Sequence, residues 1–155
     1  MFEAKSLYPV KGEVPEGDHV VQLGTAAVRR EGQDLTIAAL GAMVPRAMEA
    51  AERLSDDGVS AEVIDVRSLV PLDARTILDS VRRTGRLVTV EENPRLCGWG
   101  AELVSIAAEE CFHDLDAPPV RITTPHVPLP AADALEDAVV PSVSRILDAI
   151  LASLG

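Results

Sequence analysis

Residues 61–73, AEVIDVRSLVPLD, hold three kinds of local structure in thirteen positions. Ala61–Val66 is a nearly continuous apolar run rich in β-branched residues, which reads as a strand buried on both faces. Arg67–Leu72 has no period and carries a proline, so it reads as a loop. Asp73 then stands where a helix N-cap belongs, ahead of Ile77, Leu78 and Val81 at helical spacing. A buried strand passing through a short loop into a helix is one half of a parallel crossover, and its repetition along the chain decides the fold class.

It repeats on both sides. Upstream, the apolar run Leu35–Leu40 is followed by Gly41 and a helix with Val44, Ala47, Met48, Ala51 and Leu54 on one face. Pro45 is tolerable in the first turn of that helix, and Gly58 is placed to end it. Downstream, Gly85 ends the second helix and RLVTVEE (86–92) is a third buried strand. NPRLCGWGAE (93–102) leads into a helix with Leu103, Ile106 and Ala107 inward, and Cys111 in that helical pattern reads as a small buried hydrophobe. Pro118-Pro119 break the chain before VRITT (120–124), the next strand. Val143, Ile146, Leu147, Ile150, Leu151 and Leu154 form the stripe of a last helix, with Pro141 and Ser142 at its start.

Near the beginning, AAVRREGQDLTIAAL (26–40) shows two strand-like runs around Glu31–Asp34, with Gly32 available for positive φ, which predicts a β-hairpin. The expected fold is therefore α/β: a three-layer α/β/α sandwich whose mostly parallel sheet has about five strands, one of them an antiparallel edge strand. Residues 1–23 have no period and are rich in Pro, Gly and charge, so they read as an extended arm ahead of a domain at 24–155.

Composition narrows the function. A chain of 155 residues favours one domain with a real core, built from Val, Leu, Ile and Ala because aromatics make up 3%. A net charge of −11 argues against nucleic acid or an anionic membrane as principal partner and suits a basic protein; it also simply keeps a protein soluble. Cys97 and Cys111 form no Cys-x-x-Cys pair, no apolar run opens the chain, and a reducing cytoplasm is the default compartment.

No sequence signature of an independent active site is present. GAMVPR (41–46) replaces a glycine-rich phosphate loop after the first strand of the series. His19, His113 and His126 have no metal-ligand spacing, so neither a metal site nor a catalytic residue is assigned. Glu91-Glu92 could be paired carboxylates, or strand-end glutamates bonded to backbone or to Arg95. Gly98-Trp99-Gly100 opens a helix whose N–H groups could hold an anion, or whose glycines serve close packing. His126 sits in TTPHVPLP (123–130), a loop stiffened by three prolines, as a functional candidate or a plain turn residue.

Five strings in order, LYPVKGEVPEG (7–17), EVIDVRSLVPLD (62–73), TILDSVRRTGRLVTVEENP (76–94), GWGAE (98–102) and LDAPPVRITTPHVPLP (115–130), resemble the carboxyl-terminal half of the β subunit of 2-oxo acid dehydrogenases. These are the thiamine-diphosphate-dependent decarboxylase components of pyruvate, branched-chain 2-oxo acid and acetoin dehydrogenase complexes. The resemblance implies a transketolase-type carboxyl-terminal domain. The glutamate that activates thiamine belongs to a preceding pyrimidine-binding domain, and the diphosphate and magnesium are held mainly by the α subunit. Residues 1–23 would then be the linker from that missing domain, and this chain alone should neither bind thiamine diphosphate tightly nor turn over.

What the resemblance leaves to this domain is assembly. It implies contacts with the α subunit and a second β subunit in a tetramer, and a surface for the small basic subunit-binding domain of the lipoyl acyltransferase. Asp116, in LDAP, and the carboxyl end at Gly155 are the residues it implies for that surface. The loop at Arg67 is then structural. Ala131 stands where the family often has an aromatic. Pro125-His126 resembles acetoin and some pyruvate enzymes, and Glu109–Phe112 branched-chain ones, so the 2-oxo acid stays open. The alternative is a stand-alone ligand-binding or regulatory module with its crevice near Gly41 and Gly98–Gly100. An isolated piece of a tetramer would also expose an apolar patch through which it could form a homodimer.

Overall fold

The computed structural model describes residues 3–155. Its strands are β1 (Ala27–Arg30), β2 (Leu35–Ala39), β3 (Ala61–Asp65), β4 (Leu87–Pro94) and β5 (Val120–Thr124). Its α-helices are α1 (Met43–Asp56), α2 (Ala74–Thr84), α3 (Trp99–Glu110), α4 (Asp133–Val139) and α5 (Val143–Leu154). The strands form one sheet in the order β1-β3-β2-β4-β5. β2 lies at the centre, parallel to β3 and β4; β5 is parallel to β4; β1 is antiparallel to β3 at the edge.

Both faces are covered, which is why the central strands read as unbroken apolar runs. Ile37 and Val63 face a core shared with Met43, Ala47, Leu54, Ile146 and Ile150 from α1 and α5. Their neighbours Ala38 and Ile64 face the opposite core, with Ile77, Leu78 and Val81 of α2 and Leu103 and Ala107 of α3. The three-layer α/β/α expectation holds. Cys111 is buried, one residue beyond the end of α3.

The ends of the helices follow their chemistry. The Asp73 carboxylate accepts the Thr76 N–H at the start of α2, and Gly85 closes that helix at φ +68°. Ser142 accepts the Arg145 N–H at the start of α5. Within the α5 stripe, Ile146 and Ile150 are fully buried while Leu151 is exposed.

The hairpin is a correction. β1 does not pair with β2; the chain between them crosses over the start of β3, and β1 settles on β3's outer side. Gly32 serves that crossing, not a positive-φ turn: a Cβ there would lie 2.1 Å from the Glu62 backbone nitrogen. β2 could not accept β1, because both of its edges are taken by β3 and β4. Helix α4 was not anticipated, since seven residues are too few to display a helical period.

Among its described residues, the arm carries one 3-10 turn at Lys5–Leu7, and residues 8–23 are exposed and without a helix or strand. It enters the domain through the 67–73 loop. Asp73 Oδ2 accepts the Ala26 N–H at 2.9 Å, and a Cβ on Gly24 would sit 2.7 Å from Pro71 Cγ. The Arg67–Asp73 connection is thus specific because it caps α2 and seats the incoming chain at once. Among the described residues, no helix is long and apolar enough to cross a membrane.

Candidate functional site

The carboxyl ends of the strands, where α/β sheets usually bind ligands, hold a buried carboxylate at the start of α3. Glu91 is fully buried and takes two bonds from Arg121, Nε to Oε1 at 2.8 Å and Nη2 to Oε2 at 3.0 Å. Thr89 Oγ1 and Asn93 Nδ2 donate to it as well, and so does the Gly100 N–H at 3.0 Å. Burial pushes the Glu91 carboxyl up, but the bonds from Arg121, Asn93, Gly100 and Thr89 outweigh it and hold the group below the usual carboxylate range. The anion at this helix start is the protein's own.

Both glycines of Gly98-Trp99-Gly100 are required by that packing. A Cβ on Gly100 would lie 2.2 Å from Glu91 Oε1, and one on Gly98 would lie 2.4 Å from Oε2. Trp99 packs against the core. Glu91 therefore pairs with Arg121 and not with Arg95, while Glu92 faces solvent, so the two glutamates do not form one site. Sequence reasoning passed over Arg121; an arginine inside the apolar string VRITT was the available signal, because a strand buries such a group only with a partner. His126 is exposed on the loop after β5.

A crevice of about 350 Å³ lies between the β2 and β4 ends, the switch point of the parallel sheet. Ser6, Met43 and Arg46 line it with Glu92 and, from α4, Asp133, Glu136 and Asp137. Four carboxylates against one arginine repel phosphates. Neither this crevice nor the start of α3 suits a bare diphosphate, and no chemistry through thiamine diphosphate is assigned to these residues.

A larger groove, about 670 Å³, opens at the other end of the sheet. It is built from the turns that precede four strands: Gln33 and Asp34 before β2, Gly58 and Val59 before β3, Gly85 and Arg86 before β4, Asp114 and Asp116 before β5. Arg82 and Arg83 of α2 and Leu154 of α5 complete it. Asp116 and the carboxyl end of the chain, next to Gly155, are thus brought together, whereas Gly98–Gly100 and His126 lie at the opposite end of the sheet.

Asp116 is positioned by Gly85. Its N–H donates to the Gly85 carbonyl at 2.8 Å, and a Cβ on Gly85 would fall 2.3 Å from Asp116 Oδ2. The groove's arginines differ in what they already hold. Arg83 pairs with buried Glu62 at 2.5 Å. Burial pushes the Glu62 carboxyl up, but bonds from Ser80, Arg83 and Gly32 carry it below the usual range. Arg82 spans Asp79 at 3.0 Å, Glu110 at 3.7 Å and Asp114 at 4.0 Å. Among the described residues, the Arg86 guanidinium donates only to the Ser153 carbonyl, at 3.4 Å. None of these arginines was singled out from the sequence, because their convergence depends on turns far apart in the chain.

Residues 24–146 match the family model described as "Transketolase, C-terminal domain". The chain is 44% identical to the acetoin:2,6-dichlorophenolindophenol oxidoreductase subunit beta of Bacillus subtilis, over 99% of this chain and 45% of that one. It is 46% identical to the mitochondrial pyruvate dehydrogenase E1 component subunit beta-2 of Oryza sativa, over 92% of this chain and 38% of that one. The chain therefore spans less than half the length of these relatives. Among solved structures, a split-gene transketolase described as an inactive beta4 tetramer superposes with a TM-score of 0.76 at 32% identity, over 92% of this chain and 45% of that one.

Proposed function

The chain belongs to the transketolase C-terminal domain family, and from that premise we propose that it is the carboxyl-terminal assembly domain of the β subunit of a 2-oxo acid dehydrogenase. The complete enzyme would decarboxylate a 2-oxo acid and pass the acyl group to lipoyl groups, the lipoyl disulfide taking the electrons. Thiamine diphosphate and magnesium would sit on the α subunit and the preceding pyrimidine-binding domain, with residues 1–23 as the linker to it. This domain would contact the α subunit and a second β subunit, and would have no turnover by itself. The reducing cytoplasm suits it, since Cys97 is a free, exposed thiol.

The observation that carries the reading is the groove in which Asp116 and the end of α5 meet on a chain of net charge −11. The field of a chain at −11 speeds the approach of a small basic domain such as the acyltransferase's subunit-binding domain, and Asp116 gives that domain a carboxylate to meet. Titration calorimetry with that domain tests it. Asp116→Ala is expected to weaken binding by about 1–3 kcal/mol, as for a charged hydrogen bond with one partner removed. Unchanged affinity would reject the assignment of Asp116.

Self-association is the second part of the proposal. A relative whose β chains form a tetramer supports it, as do Leu69 and Val70, which are exposed at the tip of the 67–73 loop. Sedimentation equilibrium should find dimers or larger species at tens of micromolar, and a monomer throughout would count against it.

A further inference from the structure

Arg86 and Asp116 both line the amino-end groove, Asp116 against Gly85 and Arg86 at the residue that follows it. Neither takes part in an ion pair among the described residues, whereas Arg82 and Arg83 are both engaged by carboxylates. A guanidinium has five N–H donors, and among the described residues Arg86 uses one, on a carbonyl at the long end of hydrogen-bond distance. The groove thus holds, among its lining residues, an anion and a cation that are each without an ion-pair partner among the described residues.

Net charge alone does not need this arrangement. A surface at −11 attracts any basic domain, quickly and with little choice of orientation. A cation in the same groove as the key carboxylate opposes that attraction, unless the partner has a negative group to meet it. Resting on the docking role proposed above, we propose that Arg86 reads a carboxylate on the incoming basic domain. The groove then recognises a base and an acid presented on one face of that domain. A domain docked the wrong way round would set like charges against each other, so the pair fixes orientation and discriminates among basic proteins.

The two accounts predict opposite signs. The test is titration calorimetry of the chain with the purified subunit-binding domain of the lipoyl acyltransferase, with unfolding midpoints as a check on folding. If only the general field mattered, Arg86→Gln and Arg86→Glu would each make the groove more acidic and tighten binding. If Arg86 reads a carboxylate, Arg86→Gln weakens binding about fivefold, Arg86→Glu weakens it further, and Arg86→Lys recovers much of the loss. Substituting Lys for the matching acid on the partner domain should restore binding to Arg86→Glu. Tightened or unchanged binding in the Gln and Glu variants overturns the inference, and so does an equal loss in the Gln, Glu and Lys variants, which marks a structural role through Ser153. Asp116→Ala run in parallel separates the two levels. If it changes nothing, or the unsubstituted chain does not bind, the docking reading fails and takes this inference with it. If it weakens binding while the Arg86 variants do not, only the role of Arg86 is lost.

Discussion

Single residues carry most of the polar specification of this domain. Glu91 and Arg121 are the clearest pair, at 0% and 10% side-chain exposure. Arg121→Met should cost about 3–5 kcal/mol, because it leaves a buried carboxylate without its cation. Urea denaturation would measure the loss, and adding Glu91→Gln should recover part of it. Asp73, Glu62 and Glu91 all have carboxyls held below their usual range: burial pushes each up, and hydrogen bonds pull each further down. A group whose folded pKa is depressed adds stability that is present above its unfolded pKa and lost as pH falls through the folded one. Stability should therefore be flat near neutrality and fall once pH drops below about 4.5, the unfolded value for glutamate. Denaturation midpoints across that range would check it, and a midpoint rising on acidification would contradict the sign. Gly85→Ala should strain the αL cap by about 1–2 kcal/mol and also push the Asp116 carboxylate aside. A loss of partner affinity beyond the loss of fold stability would show that second effect.

At the scale of elements, the alternation of strand and helix was legible because the central strands are buried on two faces and the four longer helices on one. Periodicity records burial, so it found β2, β3, β4, β5 and the four longer helices. It records nothing about which strand lies beside which. The Ala26–Leu40 stretch has the local marks of a hairpin, yet β1 crosses to β3, since the two parallel crossovers leave β2 no free edge. Glycine was the one available clue, and a sequence cannot tell glycine for positive φ from glycine for close approach. Substitution can. Gly32→Ala meets backbone atoms at 2.1–2.6 Å that cannot move without shifting β3, and should cost more than about 3 kcal/mol. Gly58→Ala meets open space and carries only the strain of φ +79°, about 1–2 kcal/mol. Thermal unfolding of the two variants should rank them in that order.

At the scale of the whole molecule, the candidate groove was hardly legible. Asp116 was reached through a resemblance between strings, not through any pattern of its own, because an exposed aspartate in a loop looks like any other. The groove exists only once four strands align their leading turns. The acid–base contrast within it, with Asp34, Asp114 and Asp116 against Arg82, Arg83 and Arg86, emerges at the same step. The groove and the switch-point crevice lie at opposite ends of strands of five or so residues, roughly 16 Å of sheet apart. That separation makes the domain a spacer. A guest at the amino end and another at the carboxyl end would share no side chain, since the two linings have no residue in common. Occupying one end should leave the affinity at the other unaltered, so the two associations can be filled in either order and their free energies simply add.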